Sequence, residues 1–224
     1  PSGKTYQQLI KNVNLPQKAK EQSTPTPSPR GSIDIEMFIS LVTKQYPNIK
    51  NTSAVRQLIQ KMTADPRITY LAWIAYILAT ILRECHVGFE PVSEWGKGKG
   101  KEYGKPVIFT DPDTGKQYTN IYYGRGYCQI TWLENYIKIG NELTLGNNLA
   151  INPDLALDKN IAYDILIDGM VNGIFTRRTI STYINGVSCD FYNARRVING
   201  LDHASEIAEN ADNFYRFLKA STRN

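Results

Sequence analysis

Tyr70-Leu-Ala-Trp-Ile-Ala-Tyr-Ile-Leu-Ala-Thr-Ile-Leu-Arg-Glu84 is the most apolar stretch of the chain, and its reading decides the architecture. Only Thr80 interrupts the run, and Arg83-Glu84 ends it. A segment apolar on every side predicts a buried helix, here over residues 69 to 85. Spanning a bilayer takes about 20 apolar residues, so the run is too short for that.

Outward from this helix the periodicity stays mostly helical. Asp34 is placed to cap a helix carrying Phe38, Leu41 and Val42 on one side. Ser53 is placed to cap another, with Val55, Leu58, Ile59 and Met62 at i, i+3, i+4 and i+7. Further helices are expected over 132–139, 160–171, 190–198 and 203–218. The exception is Val107-Ile-Phe-Thr110 and Gln117-Tyr-Thr-Asn-Ile-Tyr-Tyr123, two β-prone runs around the turn sequence Asp111-Pro-Asp-Thr-Gly-Lys116, which predict a hairpin. The expected fold is mainly α (α+β), with a small β-hairpin region between helices.

Residues 1–31 read differently. Lys20 to Gly31 alternates three prolines with polar residues, an extended, semi-rigid linker. The expected division is a Pro-rich leader over 1–31 and a folded domain over 32–224. The leader reads as a frayed terminus or, alternatively, as the remnant of an attachment to another domain or a larger assembly. The 224 residues carry 26 Lys and Arg against 21 Asp and Glu, a net charge of +5. That modest excess suits a polyanion such as nucleic acid, anionic lipid or bacterial cell wall. With 42% hydrophobic residues the chain is neither disordered nor fibrous. Three cysteines make no disulfide framework, which points to folding in a reducing compartment. The sequence begins at Pro1 without Met or a signal-peptide pattern, as a processed or trimmed product would.

Metal chemistry finds little support. The two histidines, His86 and His203, fall outside any Cys-x-x-Cys or His-Glu-x-x-His motif. No metal or cofactor is expected. Gly96-Lys-Gly-Lys-Gly-Lys101 lacks the phosphate-loop pattern and a preceding strand, so it reads as a mobile basic loop. The carboxylates say more. Glu84 stands where the apolar helix leaves the core, and a carboxyl held against apolar neighbours has its charged form disfavoured, as a general acid requires. Glu90 and Glu94 follow on an irregular segment broken by Gly88 and Pro91. One desolvated carboxyl with a second in a wetter loop suits glycosidic hydrolysis.

Tyr122-Tyr-Gly-Arg-Gly-Tyr-Cys-Gln-Ile-Thr-Trp-Leu-Glu-Asn-Tyr136 adds aromatic faces, amides and a hydroxyl, the mixture that sugar sites use. This block resembles the signature of family 19 glycoside hydrolases, which include chitinases and bacteriophage endolysins on a lysozyme-like fold. Leu78 to Glu84 resembles that family's core helix, with Arg83 where the family usually has His. Glu90 to Gly104 resembles the loop of its bacterial and phage branch. Asn152-Pro-Asp-Leu-Ala156 and Ala194-Arg-Arg-Val-Ile-Asn-Gly200 resemble later family blocks. In order, the likeness runs over about residues 70–218.

The resemblance implies a lysozyme-like helical domain with the hairpin beside an active-site cleft. It implies Glu84 as general acid, and Glu94 as the second carboxylate with Glu90 as competitor. Thr131 would hold the attacking water. Gln129, Asn135, Trp132 and Asn199 fall at sugar-binding positions, and Tyr123 and Arg125 at the cleft floor. No counterpart of the family's arginine is found in the last helix. The implied reaction is inverting cleavage of β-1,4 bonds between N-acetylated amino sugars. Charge and loop type favour peptidoglycan over chitin. The implied chain is made in the bacterial cytoplasm and acts at the periplasm and cell wall, free or carried by a virion. Chitin oligomer hydrolysis and a non-catalytic glycan-binding or virion structural role are the alternatives. No recognition motif supports nucleic-acid binding.

Overall fold

The computed structural model describes residues 32–222, so the leader over 1–31 lies outside the described residues. The apolar run forms helix α3 (Leu71–Glu84), preceded by α1 (Ile35–Gln45) and α2 (Thr52–Ala64). Every residue from Ala72 to Ile81 is buried. Thr80, the one polar residue of the run, is accommodated because its hydroxyl donates to the Tyr76 carbonyl at 3.0 Å. Each fully buried Leu, Ile or Phe side chain contributes about 1.5–3 kcal/mol, which is why this segment occupies the centre.

The last helix, α8 (Ala204–Ser221), packs along α3 and brings Ile207, Ala211, Phe214 and Leu218 to the same core. Phe214 also meets Phe38 of α1 and Tyr46 just beyond it, at ring-centroid distances of 6.3 and 5.4 Å. The Asp34 N–H donates to the Ser221 carbonyl at 2.7 Å, tying the first described residues to the end of α8.

Asp34 caps α1 as expected, its Oδ1 accepting from the Met37 N–H at 3.0 Å. The cap of α2 is Asn51 rather than Ser53. Its Oδ1 accepts from the Ala54 N–H at 3.2 Å, so the helix starts before Ser53. The segment expected as one helix over 190–198 is instead a short α7 (Phe191–Ala194) followed by a tighter turn over Arg195–Val197. That change of pitch turns Arg195 inward, where it is 4% exposed.

The remaining helices are α4 (Leu133–Glu142), α5 (Asn148–Ile151) and α6 (Lys159–Val171). They enclose a smaller core of Tyr122, Ile130, Tyr136, Ile139, Leu149 and Ile165. The expected hairpin is present as β2 (Val107–Thr110) against β3 (Gln117–Asn120), antiparallel, with Phe109 opposite Tyr118. Asn120 holds it to the end of α5, donating to the carbonyls of Ala150 and Ile151. A second, two-residue ladder pairs β1 (Val92–Ser93) with β4 (Arg125–Gly126). The fold is thus mainly α with a small β-region.

Candidate active site

Helix α3 delivers Glu84 at its C-terminal end, where the chain leaves the core through Cys85. The Glu84 side chain is 18% exposed and forms an ion pair with Arg195, Oε1 to Nη1 at 2.9 Å. The alignment is that of an ion pair rather than a directed hydrogen bond. Arg195 is held in turn by its Nε–H, which donates to the Asp202 carbonyl at 3.0 Å. The apolar enclosure expected for Glu84 is therefore replaced by a guanidinium, because the turn after α7 directs Arg195 back toward α3.

Glu84 and Arg195 line a polar cavity of about 380 Å³ with Gln129, Thr131, Asn135 and Asn199. Five residues singled out in the sequence thus meet, brought from α3, from the junction between β4 and α4, and from the turn after α7. The junction is sharply bent. Gln129 and Trp132 both have positive φ, +52° and +70°, which is costly for residues with a Cβ and is commonest where a site demands it. Local hydrogen bonds hold that bend. The Gln129 amide donates to the carbonyls of Val92 and Gly126, both at 3.0 Å. The Trp132 N–H donates to the Tyr122 carbonyl at 3.0 Å, and the Asn135 amide to the Thr131 carbonyl at 2.8 Å.

Glu94 stands beside this cavity, immediately after β1. Its N–H donates to the Gly124 carbonyl at 2.7 Å, and its Oε2 accepts from the Gly124 N–H at 3.1 Å. Its Oε1 accepts from the Tyr103 hydroxyl at 2.7 Å. Burial and the adjoining Glu94 carboxylate push the Tyr103 hydroxyl up to about 12, so it stays a donor at neutral pH. Gly124 is required for this meeting. A Cβ there would lie 2.8 Å from Gln129 Oε1 and 3.2 Å from Glu94 Cβ. Glu94 therefore shares a wall with Gln129, which itself lines the cavity holding Glu84. Tyr103 also meets the half-exposed Trp132 edge to face, ring centroids 5.7 Å apart.

Glu90 faces elsewhere. It pairs with Lys159 at 2.7 Å and lines a separate hollow of about 280 Å³ with Lys61, Tyr127 and Tyr163. Tyr123 and Arg125 are buried, and neither lines the cavity. The Arg125 guanidinium lies 3.5 Å from the Tyr123 ring centroid and pairs with Asp154 at 2.8 Å. It also donates to the carbonyls of Ile121 and Tyr123. The cleft floor expected of these two residues is therefore not formed by their side chains, which are taken up inside the fold. The hairpin residues do not line the cavity; the short β1–β4 ladder stands nearer.

Arg195, Asp202, Lys138 and Cys128 also line the cavity, and no local sequence signal marks them for it. The block Ala194 to Gly200 was visible, but nothing local tells which of its two arginines turns inward. The basic loop also differs from expectation. Gly96 to Lys101 is a succession of tight turns packed on Tyr123, not a free segment. A larger hollow, about 470 Å³, adjoins Arg67, Asp164 and Asp168. Arg67 is saturated there by Asp65, Asp164 and Asp168 at 2.7–2.9 Å, so its charge is already answered within the fold.

No protein-family model matches the chain, and no curated protein matches it. Among solved structures it is similar to a bacterial family 19 chitinase whose crystal structure and enzymatic properties reveal differences with plant enzymes. Identity is 17%, over 84% of this chain and 88% of that one, with a TM-score of 0.44. It is also similar to chitinase C from Streptomyces griseus HUT6037, at 18% identity over 84% of this chain and 71% of that one, with a TM-score of 0.46. At that overlap these structures say what the chain is similar to, and the chemistry of the site follows from its own geometry.

Proposed function

We propose that the chain is a glycoside hydrolase of the family 19 type, with a lysozyme-like fold, that cuts β-1,4 bonds between N-acetylated amino sugars of bacterial peptidoglycan. One observation carries the reading: Glu84, fixed by Arg195, shares a polar cavity with Gln129, Thr131, Asn135 and Asn199, and Glu94 stands against the same wall.

In this reading the amides of Gln129, Asn135 and Asn199 pair with sugar hydroxyl and N-acetyl groups. Glu84 gives its proton to the departing glycosidic oxygen. Glu94 and the Thr131 hydroxyl position a water on the opposite face of the sugar, and Glu94 takes its proton as the water attacks. Direct attack by water inverts the anomeric centre, and the water's place requires carboxyls roughly 6.5–9.5 Å apart. Tyr103 and the Gly124 N–H hold Glu94 in one orientation, which favours a base that must aim at a single water.

Peptidoglycan is preferred to chitin because the chain is basic and peptidoglycan strands carry carboxylates. The role that follows is cell-wall lysis from the periplasmic side, with residues 1–31 as an attachment to a larger phage or secretion assembly. The test is mass spectrometry of products released from purified peptidoglycan and from chitin, with NMR of the first anomer formed. A new reducing sugar end in the inverted α-configuration, released from peptidoglycan, is expected. A released peptide or amine without a new sugar end would overturn the reading.

A further inference from the structure

We infer that residues 95–101, Trp95-Gly-Lys-Gly-Lys-Gly-Lys101, form a cationic arm on the rim of the site that engages the carboxylates of peptide-bearing glycan strands, and that this arm sets the preference for an acidic over a neutral amino-sugar polymer. The inference rests on the glycosidase reading of the adjoining cavity and deepens it.

The arm is a built structure. The Lys97 N–H donates to the Glu94 carbonyl at 3.0 Å, Lys99 N–H to Gly96 and Lys101 N–H to Gly98, both at 2.9 Å. Gly96, Gly98 and Gly100 take φ of +78°, +75° and +79°, so each turn uses a glycine where a Cβ would be strained. Gly98 anchors the series. A Cβ there would lie 2.7 Å from Gly104 Cα and 3.2 Å from Tyr123 Cβ. The alternation leaves Lys97, Lys99 and Lys101 all exposed on one short segment.

The charges are unanswered within the fold. Among the described residues none of these three lysines has an ion-pair or side-chain hydrogen-bond partner, whereas Lys105 pairs with Glu102 at 2.7 Å. Three like charges so close repel one another, and a polyanion relieves that repulsion. Trp95 precedes them and is 99% exposed, a large apolar face that the fold leaves in water. It directly follows Glu94, whose Tyr103 partner touches the half-exposed Trp132. The arm is thus continuous with the cavity rim. A flat indole beside three cations suits a sugar strand bearing acidic substituents, and a neutral strand would engage only the indole.

The test measures binding without turnover, in full-length chain carrying Glu84→Gln. The probes are peptidoglycan sacculi stripped of phosphate-bearing wall polymers, the same sacculi with carboxyls amidated, and chitin. Intact sacculi should bind about tenfold more tightly than amidated sacculi at low salt, with the gap closing as NaCl rises. Changing Lys97, Lys99 and Lys101 together to Gln should remove that advantage, a loss of about tenfold. Changing Lys44, Lys50 and Lys219 to Gln removes the same charge from other elements and should leave it in place. Equal losses in the two triple variants would reduce the effect to bulk charge and overturn the proposal. So would no loss in the arm variant, or indifference to amidation. Products from the chain with Glu84 intact test the hydrolase reading separately. Arm-dependent binding without any new sugar end would sink that reading while leaving the arm's acid-binding role in place.

Discussion

Arg195 Nη1 lies 2.9 Å from Glu84 Oε1, so the carboxyl at the end of the most apolar helix is paired with a buried cation from a distant turn. The pair unites two segments with no local relation in the sequence. It also divides the labour: the helix sets the position of the carboxyl, and the arginine supplies the charge beside it.

Glu84→Gln should keep the fold and lose turnover. The change is nearly isosteric but leaves no dissociable proton, and general acid–base catalysis is worth about 10²–10⁴-fold. Circular dichroism and product release measured on one preparation decide it. Wild-type turnover in a folded variant would remove Glu84 from the mechanism.

Arg195→Met should lower turnover and stability together. It leaves Glu84 without the cation that holds it. Breaking a fully buried pair costs about 3–5 kcal/mol, and partial exposure of Glu84 reduces that to about 2 kcal/mol. Arg195→Lys should recover part of the stability but less of the turnover, since an ammonium lacks the planar fork. Denaturant melts and initial rates separate the two effects. A neutral Met variant would mean the pair serves neither.

Glu94→Gln should reduce turnover far more than Glu90→Gln. Glu94 adjoins Gly124 and Gln129 at the cavity wall, while Glu90 pairs with Lys159 over another hollow. Tyr103→Phe should give an intermediate loss, because it frees Glu94 Oε1 without removing the carboxylate. The order of initial rates on one substrate is the measurement, and the reverse order would make Glu90 the base.

Acid should weaken the fold partly through Asp65. Burial pushes this carboxyl up, but hydrogen bonds from Arg67 and the Tyr163 hydroxyl outweigh it and hold it below the usual carboxylate range. A depressed folded value gives stability that is present above the unfolded value, near 3.8, and is lost as pH falls through the folded one. Asp65→Asn should therefore cost roughly 3 kcal/mol at pH 7. The gap to wild type should shrink below about pH 4. Thermal melts across pH 2–7 would show a constant gap if the ion pairs of Asp65 were irrelevant.

A chain beginning at Ser32 should keep its melting temperature and its hydrolysis of isolated peptidoglycan. Residues 32–222 already bury both cores, and Asp34 closes onto Ser221. A collapse of either quantity would place the leader across the folded domain. Removing Asp34 as well should cost about 1 kcal/mol through the lost cap of α1.

The sequence by itself determined what depends on near neighbours along the chain. The run from Tyr70 to Leu82 had to be a buried helix, since no other arrangement removes so many contiguous apolar side chains from water. Asp34 could be read as a cap because its partner, Met37, is three residues away. The Asp-Pro-Asp-Thr-Gly-Lys turn made the hairpin legible, although its docking onto α5 was not. Glu84, Gln129, Thr131 and Asn135 could be singled out from two continuous blocks. Tertiary structure alone decided that Arg195, not Arg196, faces Glu84, that Glu90 turns to Lys159, and that Arg125 pairs with Asp154. Those pairings join residues far apart in the chain, and their geometry is set by how separate elements pack, the tightened turn after Ala194 among them. No local pattern encodes such an arrangement, because its energy comes from the packed whole rather than from any one segment.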